Sequence, residues 1–300
     1  MSAVQPRELS FTSHRVRCAA WHLPGTGDAP ARPCVVMAHG FGGTLDTGLF
    51  AFATPFAESG WDVFAFDYRG FGASNGRPRQ DVSVRRQRED YHAAVDAARH
   101  LPGVDPDRIV LWGTSYSAGH VVAVAAGRPT IAAAVSMTPA ADGLASLALI
   151  IRRHGVGHLA RLAAHGLVDA TAAILHRRPH QVPIVGRPGT TAMITVPGAA
   201  EAYPSLAGPT WRNEVGARHA LEVARNRPVA AASGVRCPVL VQIGTRDQVV
   251  PVGAARRMAR RLGPRGCLQE YPVDHFDVYA GPWQRRAVTD QIAFLRRVLD

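Results

Sequence analysis

The chain has 300 residues, 47% hydrophobic and 19% charged, so it can form one large domain with an insertion or two small ones, and its composition excludes a disordered or coiled-coil protein. Its net charge is +11 without a single lysine, and scattered arginines without interleaved aromatic residues are typical of a solvated basic surface, which argues against nucleic-acid binding. No run approaches about eighteen apolar residues and the polar start lacks the build of a signal peptide, so we expect a cytoplasmic protein without a membrane span.

Strand-like and helical patterns alternate along most of the chain. Short strand patterns at 8–11 and 16–23 are followed by apolar runs typical of strands buried on both faces. These runs lie at 34–38, 63–66, 109–112, 132–137, 239–243 and 267–273, and helical patterns lie between them at 50–58, 84–101, 121–126, 254–262 and 287–299. This alternation predicts an α/β fold with a parallel sheet covered on both faces.

The alternation fails between residues 139 and 235. Helical patterns there surround a stretch, 179–209, that contains six prolines and four glycines and cannot form a strand or a long helix. We therefore expect a catalytic domain formed by residues 1–138 and 236–300, with a cap at 139–235 inserted over the carboxyl ends of the strands. The alternative is an independent helical domain.

A serine on a strand-to-helix turn is the strongest chemical signal. An apolar strand ends at Gly113, and the pattern Gly-Thr-Ser-Tyr-Ser matches a nucleophile elbow centred on Ser115, with Ser117 where a second glycine is usual. Small neighbours are needed because the strained turn projects the serine hydroxyl from the sheet. We predict Ser115 as a nucleophile, with Ser117 as the alternative.

The segment His-Gly-Phe-Gly-Gly at residues 39–43 follows the first buried strand. Acyl transfer needs two fixed N–H donors for a developing oxyanion, and a glycine-rich strand exit lets the backbone approach the nucleophile. The backbone amides of Phe41 and Tyr116 are the predicted oxyanion hole. The alternative is a plain strand-to-loop turn.

A serine nucleophile needs an imidazole base. Among thirteen histidines, His275 follows the last strand pattern and should lie at the same sheet edge as Ser115. We expect His39 to shape the turn before Gly40 and His120 to pack on the helix behind Ser115.

The base needs a carboxylate to orient it. Asp247 lies just past a buried strand pattern, whereas Asp142 follows the preceding one and is the alternative. Asp274 and Asp277 flank His275 too closely to be its first choice. The chain order Ser115, Asp247, His275 is that of α/β-hydrolases.

Neither a disulfide framework nor a metal site is indicated. The four cysteines have no CxxC pair, and we expect buried free thiols. Two histidine pairs in the cap have i,i+4 spacing but no adjacent acidic ligand, so we expect them not to bind metal: His154 with His158, and His176 with His180.

At these motifs the chain resembles the α/β-hydrolase family, over about residues 33–139 and 236–298. The segment Asp-Tyr-Arg-Gly-Phe-Gly-Ala-Ser-Asn-Gly at 67–76 is similar to that family's loop after the fourth strand. The resemblance implies the α/β-hydrolase fold, a mostly parallel eight-stranded sheet flanked by helices with a helical cap. The sequence Gly-Thr-Ser-Tyr-Ser-Ala-Gly-His at 113–120, followed by the long proline- and glycine-rich cap, looks most like that of bacterial esterases and peptidase-like hydrolases. It also looks like that of thioesterases or acyl transferases of natural-product pathways.

The resemblance and the triad together imply a serine hydrolase that cleaves a carboxylic ester or thioester of a small molecule through an acyl-enzyme, without cofactor or metal. A serine at the elbow disfavours the dehalogenase and epoxide hydrolase branches, which need a carboxylate there. Three alternatives remain: an acyltransferase to an alcohol or amine, a serine peptidase, and a binding protein without catalysis.

An apolar face in the first helical pattern of the cap is the predicted source of selectivity. It contains Leu144, Leu147, Leu149, Ile150 and Ile151 and could either pack internally or line an acyl pocket. Leu147 and Ile150 are the predicted substrate-binding residues.

Overall fold

The computed structural model describes residues 6–27 and 29–299, in which strands and helices alternate much as the sequence predicts. The strands are β1 Arg7–Ser13, β2 Val16–Leu23, β3 Arg32–Ala38, β4 Asp62–Phe66, β5 Val104–Thr114, β6 Ala133–Met137, β7 Gln181–Val182, β8 Val215–Gly216, β9 Val239–Gly244 and β10 Gly266–Tyr271. The helices are α1 Phe50–Glu58, α2 Val84–Ala98, α3 Tyr116–Gly127, α4 Gly143–Ile174, α5 Ala199–Leu206, α6 Pro228–Ala231, α7 Val252–Arg261 and α8 Gly281–Leu299.

Eight of these strands form one sheet in the order β1-β2-β4-β3-β5-β6-β9-β10. The first two pairings, β1 with β2 and β2 with β4, are antiparallel, and all later ones are parallel. The central strands β4, β6 and β9 are buried at every residue, whereas the edge strands β1 and β10 alternate between exposed and covered residues. The predicted mostly parallel eight-stranded sheet is confirmed.

Helices cover both faces of the sheet, and each face has its own apolar core. Alternate side chains of a strand point to opposite faces, so Val36 packs in one core while Val35 and Met37 pack in the other. The core with Val36 includes side chains of α2, α3 and α7, and the other includes those of α1 and α8. This two-sided burial explains the continuous apolar runs in the sequence.

The chain between β6 and β9 contains α4 to α6 and the two-residue strands β7 and β8, which pair with each other. Asp142 caps α4 by accepting a hydrogen bond from the Leu144 amide at 3.1 Å. Gly155 interrupts α4 with a φ of 78°, a value that glycine adopts without steric cost. The proline-rich stretch 179–209 contains only β7 and the eight-residue α5.

Cys18, Cys34 and Cys237 are buried free thiols, as predicted, whereas Cys267 on the edge strand β10 is only half-buried. Within residues 6–27 and 29–299, no helix is both long and apolar enough to cross a membrane.

Candidate active site

The strands β3, β5, β9 and β10 end at one edge of the sheet, and the segments that follow them carry the predicted site residues. In parallel strands the carboxyl ends lie on the same side, so loops distant in sequence meet there. Ser115 follows β5, Asp247 follows β9 and His275 follows β10.

Ser115 occupies a strained turn between β5 and α3. Its φ is +55° and its ψ is −111°, a conformation that residues other than glycine rarely adopt. A Cβ atom added to Gly113 would lie 2.5 Å from the Ser117 carbonyl oxygen, so the start of the helix passes too close to β5 for any side chain at position 113. The sequence around Ser115 therefore has the small residues that this turn requires.

Ser117 lies in the same turn but has a different environment. Its hydroxyl accepts a hydrogen bond from the Thr114 amide at 2.8 Å and lies 2.8 Å from the Ala38 carbonyl oxygen, to which it can donate. The residue is 1% exposed. Through these contacts the Ser117 hydroxyl joins the turn to the end of β3. Ser115 is therefore the serine of this turn whose hydroxyl lies beside an imidazole.

Asp247, His275 and Ser115 form one hydrogen-bonded chain. His275 Nε2 lies 3.1 Å from Ser115 Oγ, and His275 Nδ1 lies 2.6 Å from Asp247 Oδ2. All three side chains are buried. This is the arrangement in which an imidazole can take a proton from a serine while a carboxylate fixes its tautomer.

Backbone and side-chain hydrogen bonds hold the two loops that bear Asp247 and His275. Asp247 Oδ1 accepts from the amides of Val249 and Val250, both at 2.8 Å. Asp274 Oδ1 accepts from the backbone amides of His275 at 2.7 Å and Gln248 at 2.8 Å, which joins the two loops. Asp274 thus braces the site without contacting the imidazole.

Asp142, the alternative acid, is used elsewhere. Besides capping α4, its carboxylate lies 3.1 Å from Arg227 Nε and 3.8 Å from Arg257 Nη2. Asp247 thus contacts His275, whereas Asp142 caps the start of α4.

The glycine-rich turn after β3 lies directly against Ser115. A Cβ atom on Gly40 would lie 2.9 Å from Ser115 Cβ, so only glycine permits this approach. The Phe41 amide has no acceptor among the described residues, and the Tyr116 amide opens α3, where no intrahelical acceptor is available. Both predicted oxyanion donors therefore lie beside Ser115 with uncommitted N–H groups. His39 shapes this turn, as expected, because its Nδ1 accepts from the Gly40 amide at 2.8 Å.

Tyr203 on α5 holds the glycine-rich turn after β3 in place. Its hydroxyl donates a hydrogen bond of 2.7 Å to the Phe41 carbonyl oxygen. Tyr203 was not predicted from the sequence, because α5 lies in the proline-rich stretch, where no periodic pattern singles out a side chain.

A mostly apolar cavity of about 110 Å³ opens beside Ser115. Leu147 and Ile150 line it, as do Phe41 and Tyr116. The other lining residues are Ala140, Ser146, Leu159, Leu162, Met193, Ile194, His219, Ala220, Val223, Val249 and Val250. Of the wider apolar face in the sequence, Leu144 and Ile151 are 49% and 39% exposed and lie outside the cavity, and Leu149 lines a neighbouring cleft. Of the predicted apolar face, only Leu147 and Ile150 therefore reach the cavity, and Leu159 and Leu162 line it from farther along α4.

Three buried histidines surround the site without contacting Ser115. Burial lowers the pKa of His39 to about 4, lowers that of His219 to about 4 and lowers that of His120 well below its usual range. His120 Nε2 lies 2.9 Å from Gln87 Oε1 behind α3, in the packing role expected for it. All three imidazoles are therefore neutral at physiological pH.

The two histidine pairs suggested by sequence spacing lie between β6 and β9, and the structure shows only one of them as a pair. The His154 and His158 rings lie 5.1 Å apart, but His180 stacks on His165, with Nε2 2.7 Å from Nδ1, and not on His176. Among the described residues, no group of three or more histidine, cysteine or acidic side chains is arranged to hold a metal ion.

The sequence profile of the family described as serine aminopeptidase, S33, matches residues 29–273. The quorum-quenching protein AidA of Acinetobacter baumannii is 37% identical over 296 residues, which cover 98% of this chain and 95% of AidA. A thiohydrolase of Aspergillus aculeatus is 27% identical over 285 residues, covering 89% of this chain and 86% of its own. A polyketide transferase of Aspergillus fumigatus is 27% identical over 286 residues, covering 93% and 94%.

Solved structures share the fold. The crystal structure of the α/β-hydrolase GrgF from Penicillium sp. sh18 matches with a TM-score of 0.82 at 23% identity, over 98% of this chain and 99% of that one. The predicted α/β-hydrolase fold is confirmed.

Proposed function

Since the chain belongs to the α/β-hydrolases, in the family described as serine aminopeptidase, S33, we propose that it is a serine hydrolase that cleaves a carboxylic ester or thioester of a small molecule. The observation that supports this most is the continuous contact of Ser115 Oγ with His275 Nε2 at 3.1 Å and of His275 Nδ1 with Asp247 at 2.6 Å. The three residues act as nucleophile, base and orienting acid.

In the first half-reaction, Ser115 Oγ attacks the acyl carbon while His275 Nε2 takes its proton. The bond from the acyl carbon to the alcohol oxygen or thiol sulfur then breaks, and the leaving group departs with the proton from His275. Asp247 stabilises the imidazolium that forms between these steps. The Phe41 and Tyr116 amides donate to the oxyanion of each tetrahedral intermediate.

In the second half-reaction, His275 takes a proton from water, the resulting hydroxide attacks the acyl-enzyme, and Ser115 leaves with that proton restored. Serine, imidazole, carboxylate and water supply every group, so the proposed reaction uses no cofactor or metal.

The segment 139–235 acts in this proposal as a cap on a catalytic domain formed by 1–138 and 236–300. It supplies the apolar cavity walls Leu147 and Ile150 and the Tyr203 hydroxyl that bonds to the Phe41 carbonyl. The cap therefore selects the acyl chain, and its control of water access to the reacting end decides between hydrolysis and acyl transfer.

Acyl transfer to an alcohol or amine is the second candidate, because a relative that covers 93% of this chain is named a polyketide transferase. Hydrolysis and transfer share the acyl-enzyme and differ only in the acceptor. The thiohydrolase among the relatives favours a thioester donor for either reaction.

The test is a substrate panel of p-nitrophenyl esters, N-acetylcysteamine thioesters and aminoacyl p-nitroanilides. We expect turnover of esters and thioesters well above that of the anilides, and loss of this turnover in Ser115→Ala. Adding alcohols or amines and measuring the acylated product distinguishes transfer from hydrolysis. Faster cleavage of the anilides would indicate a peptidase instead, and undiminished turnover in Ser115→Ala would contradict the proposed nucleophile.

A further inference from the structure

The cavity beside Ser115 contains one imidazole that the proposed reaction does not use. His219 lies in the 3-10 helix Ala217–Leu221, lines this cavity and is 2% exposed. The residue is therefore part of the packed wall of the cavity.

His219 differs from the two serines of the cavity wall, whereas the Tyr116 hydroxyl, like His219, lacks a hydrogen-bond partner among residues 6–27 and 29–299. Ser115 is the proposed nucleophile, and the Ser146 hydroxyl donates to the Asp142 carbonyl oxygen at 3.1 Å. His219 Nδ1, in contrast, has no hydrogen-bond partner among residues 6–27 and 29–299. A buried polar group without a partner is costly, and a ligand that bonds to it recovers part of that cost.

The position of His219 relates it to the reacting end of the cavity. Its ring centroid lies 5.1 Å from that of Phe41 and 5.3 Å from that of Tyr116, the two residues whose amides form the proposed oxyanion hole. Ser115 and His219 also line the same cavity of about 110 Å³, so a group that contacts His219 lies within a few carbons of the acyl carbon.

The charge state of His219 defines the group that it can bind. Burial lowers its pKa to about 4, against a smaller opposing effect of the Val82 backbone, so the ring is neutral at pH 7. A neutral imidazole offers one N–H donor and one acceptor nitrogen. It suits an uncharged oxygen and gives no ion pair to a carboxylate or phosphate.

We propose that His219 is a specificity-determining residue that binds an oxygen substituent, hydroxyl or keto, near the carbonyl end of the substrate's acyl chain. This rests on the proposed acyl hydrolysis at Ser115 and adds the chemical class of the chain. The apolar walls of the cavity contact the hydrocarbon part, and the one imidazole distinguishes an oxygenated chain from a plain fatty acyl chain.

The test compares kcat/KM for N-acetylcysteamine thioesters of hexanoate, (R)- and (S)-3-hydroxyhexanoate and 3-oxohexanoate. We expect the wild type to prefer at least one oxygenated chain by about tenfold, the size of one net hydrogen bond. A preference for a hydroxyl isomer identifies a hydroxylated chain, and a preference for the oxo compound identifies a keto chain.

Variants assign the preference to the imidazole. His219→Phe keeps a ring against Phe41 and Tyr116 and should reduce the selectivity ratio to about one, whereas His219→Gln should keep part of it. Val223→Ala, on the same cavity wall, changes volume without changing polarity and should keep the ratio. If His219→Phe does not fold, His219→Leu replaces it.

A wild type without preference, or a preference kept in His219→Phe, would overturn the proposal while leaving hydrolysis intact. If the wild type hydrolyses none of the thioesters, the proposed function fails, and calorimetry with Ser115→Ala still decides the role of His219. The oxygenated thioester should then bind about tenfold more tightly than the hexanoyl one, and equally in Ser115→Ala/His219→Phe. Equal binding in Ser115→Ala itself would overturn the proposal.

Discussion

At the scale of single residues, the geometry of the site depends on which hydrogen-bond partners each polar atom has. One carboxylate oxygen of Asp247 accepts two backbone amides and the other contacts His275, so the side chain has a single orientation. The imidazole is thereby held with Nε2 toward Ser115. In the proposed triad, Asp247 as the acid would therefore orient the imidazole of His275.

Replacing this acid should remove activity without removing the fold. Asp247→Asn should lower kcat about 10³- to 10⁴-fold, because the amide no longer fixes the imidazole tautomer. Turnover of the best thioester, together with circular dichroism to check folding, measures this.

Asp142→Asn is the matched control, since Asp142 was the alternative acid and serves only the start of α4 and two arginines. It should leave kcat nearly unchanged and preserve the fold, because asparagine caps a helix as well as aspartate does. The reverse pattern would assign the acid role to Asp142.

The predicted site residues came from positions, not from residue types alone. Ser115, Asp247 and His275 each follow an apolar strand run, and parallel strands must end at one edge, so their meeting could be inferred without coordinates. Tyr203 and His219 could not be found that way. They lie outside the alternating pattern, and their roles depend on how the chain between β6 and β9 folds back over the sheet.

At the scale of elements, α5 and the turn after β3 are coupled through one hydrogen bond. Tyr203→Phe removes the donor to the Phe41 carbonyl and so loosens the residue whose own amide is a proposed oxyanion donor. We expect kcat to fall roughly tenfold while KM changes little, because the loss concerns the transition state.

Ser205→Ala is the control on the same helix, since its hydroxyl bonds only to the Ala202 carbonyl within α5. It should leave both constants unchanged. A rise in KM alone for Tyr203→Phe would mean that Tyr203 shapes substrate binding and does not position the oxyanion turn.

The first turns of α4 should set acyl chain length. Each buried methylene contributes about 0.8 kcal/mol, so kcat/KM should rise severalfold with every two carbons across short p-nitrophenyl esters until the cavity is full. Leu147→Trp or Ile150→Trp fills the cavity and should move the optimum to shorter chains.

Leu144→Trp serves as the control, because Leu144 lies on the same helix but is exposed outside the cavity. Its chain-length profile should match that of the wild type. A flat profile in the wild type would show that α4 does not determine selectivity.

At the scale of the whole molecule, stability depends on histidines that fold in the neutral form. Burial lowers the pKa of His39 from 6.5 to about 4, so between these values the unfolded chain binds a proton that the folded protein does not. Above about pH 6.5, His39 therefore does not lower the free energy of unfolding. As the pH falls from 6.5 toward 4, the folded protein loses stability because the unfolded chain binds the extra proton. Buried Asp67, whose pKa is raised to about 7, has the opposite dependence, so only a comparison of variant and wild type isolates His39.

His39→Asn should remove the pH dependence of stability that comes from His39, while the amide oxygen of the asparagine can still accept the Gly40 N–H. The pH dependence of its unfolding free energy between pH 4 and 6.5 should fall below that of the wild type by up to about 1.4 kcal/mol per pH unit. Urea unfolding at several pH values measures this. Identical slopes for the two proteins would contradict a neutral His39 in the folded state.

Most of the sheet was predictable because parallel strands that are buried on both faces need apolar residues at nearly every position, as in β4, β6 and β9. The fold of residues between β6 and β9 was not. Gly155 breaks one long apolar-and-arginine segment in a way that periodicity does not reveal, and the two-residue strands β7 and β8 are too short to give a pattern.

Covalent labelling with a fluorophosphonate is the sharpest test of whether Ser115 is an activated nucleophile. Only a serine with a base and an oxyanion site should react rapidly, so mass spectrometry of wild-type peptides should find one modified serine, Ser115, and no rapid label in Ser115→Ala. Labelling of Ser117, or labelling that persists unchanged in Ser115→Ala, would contradict the account.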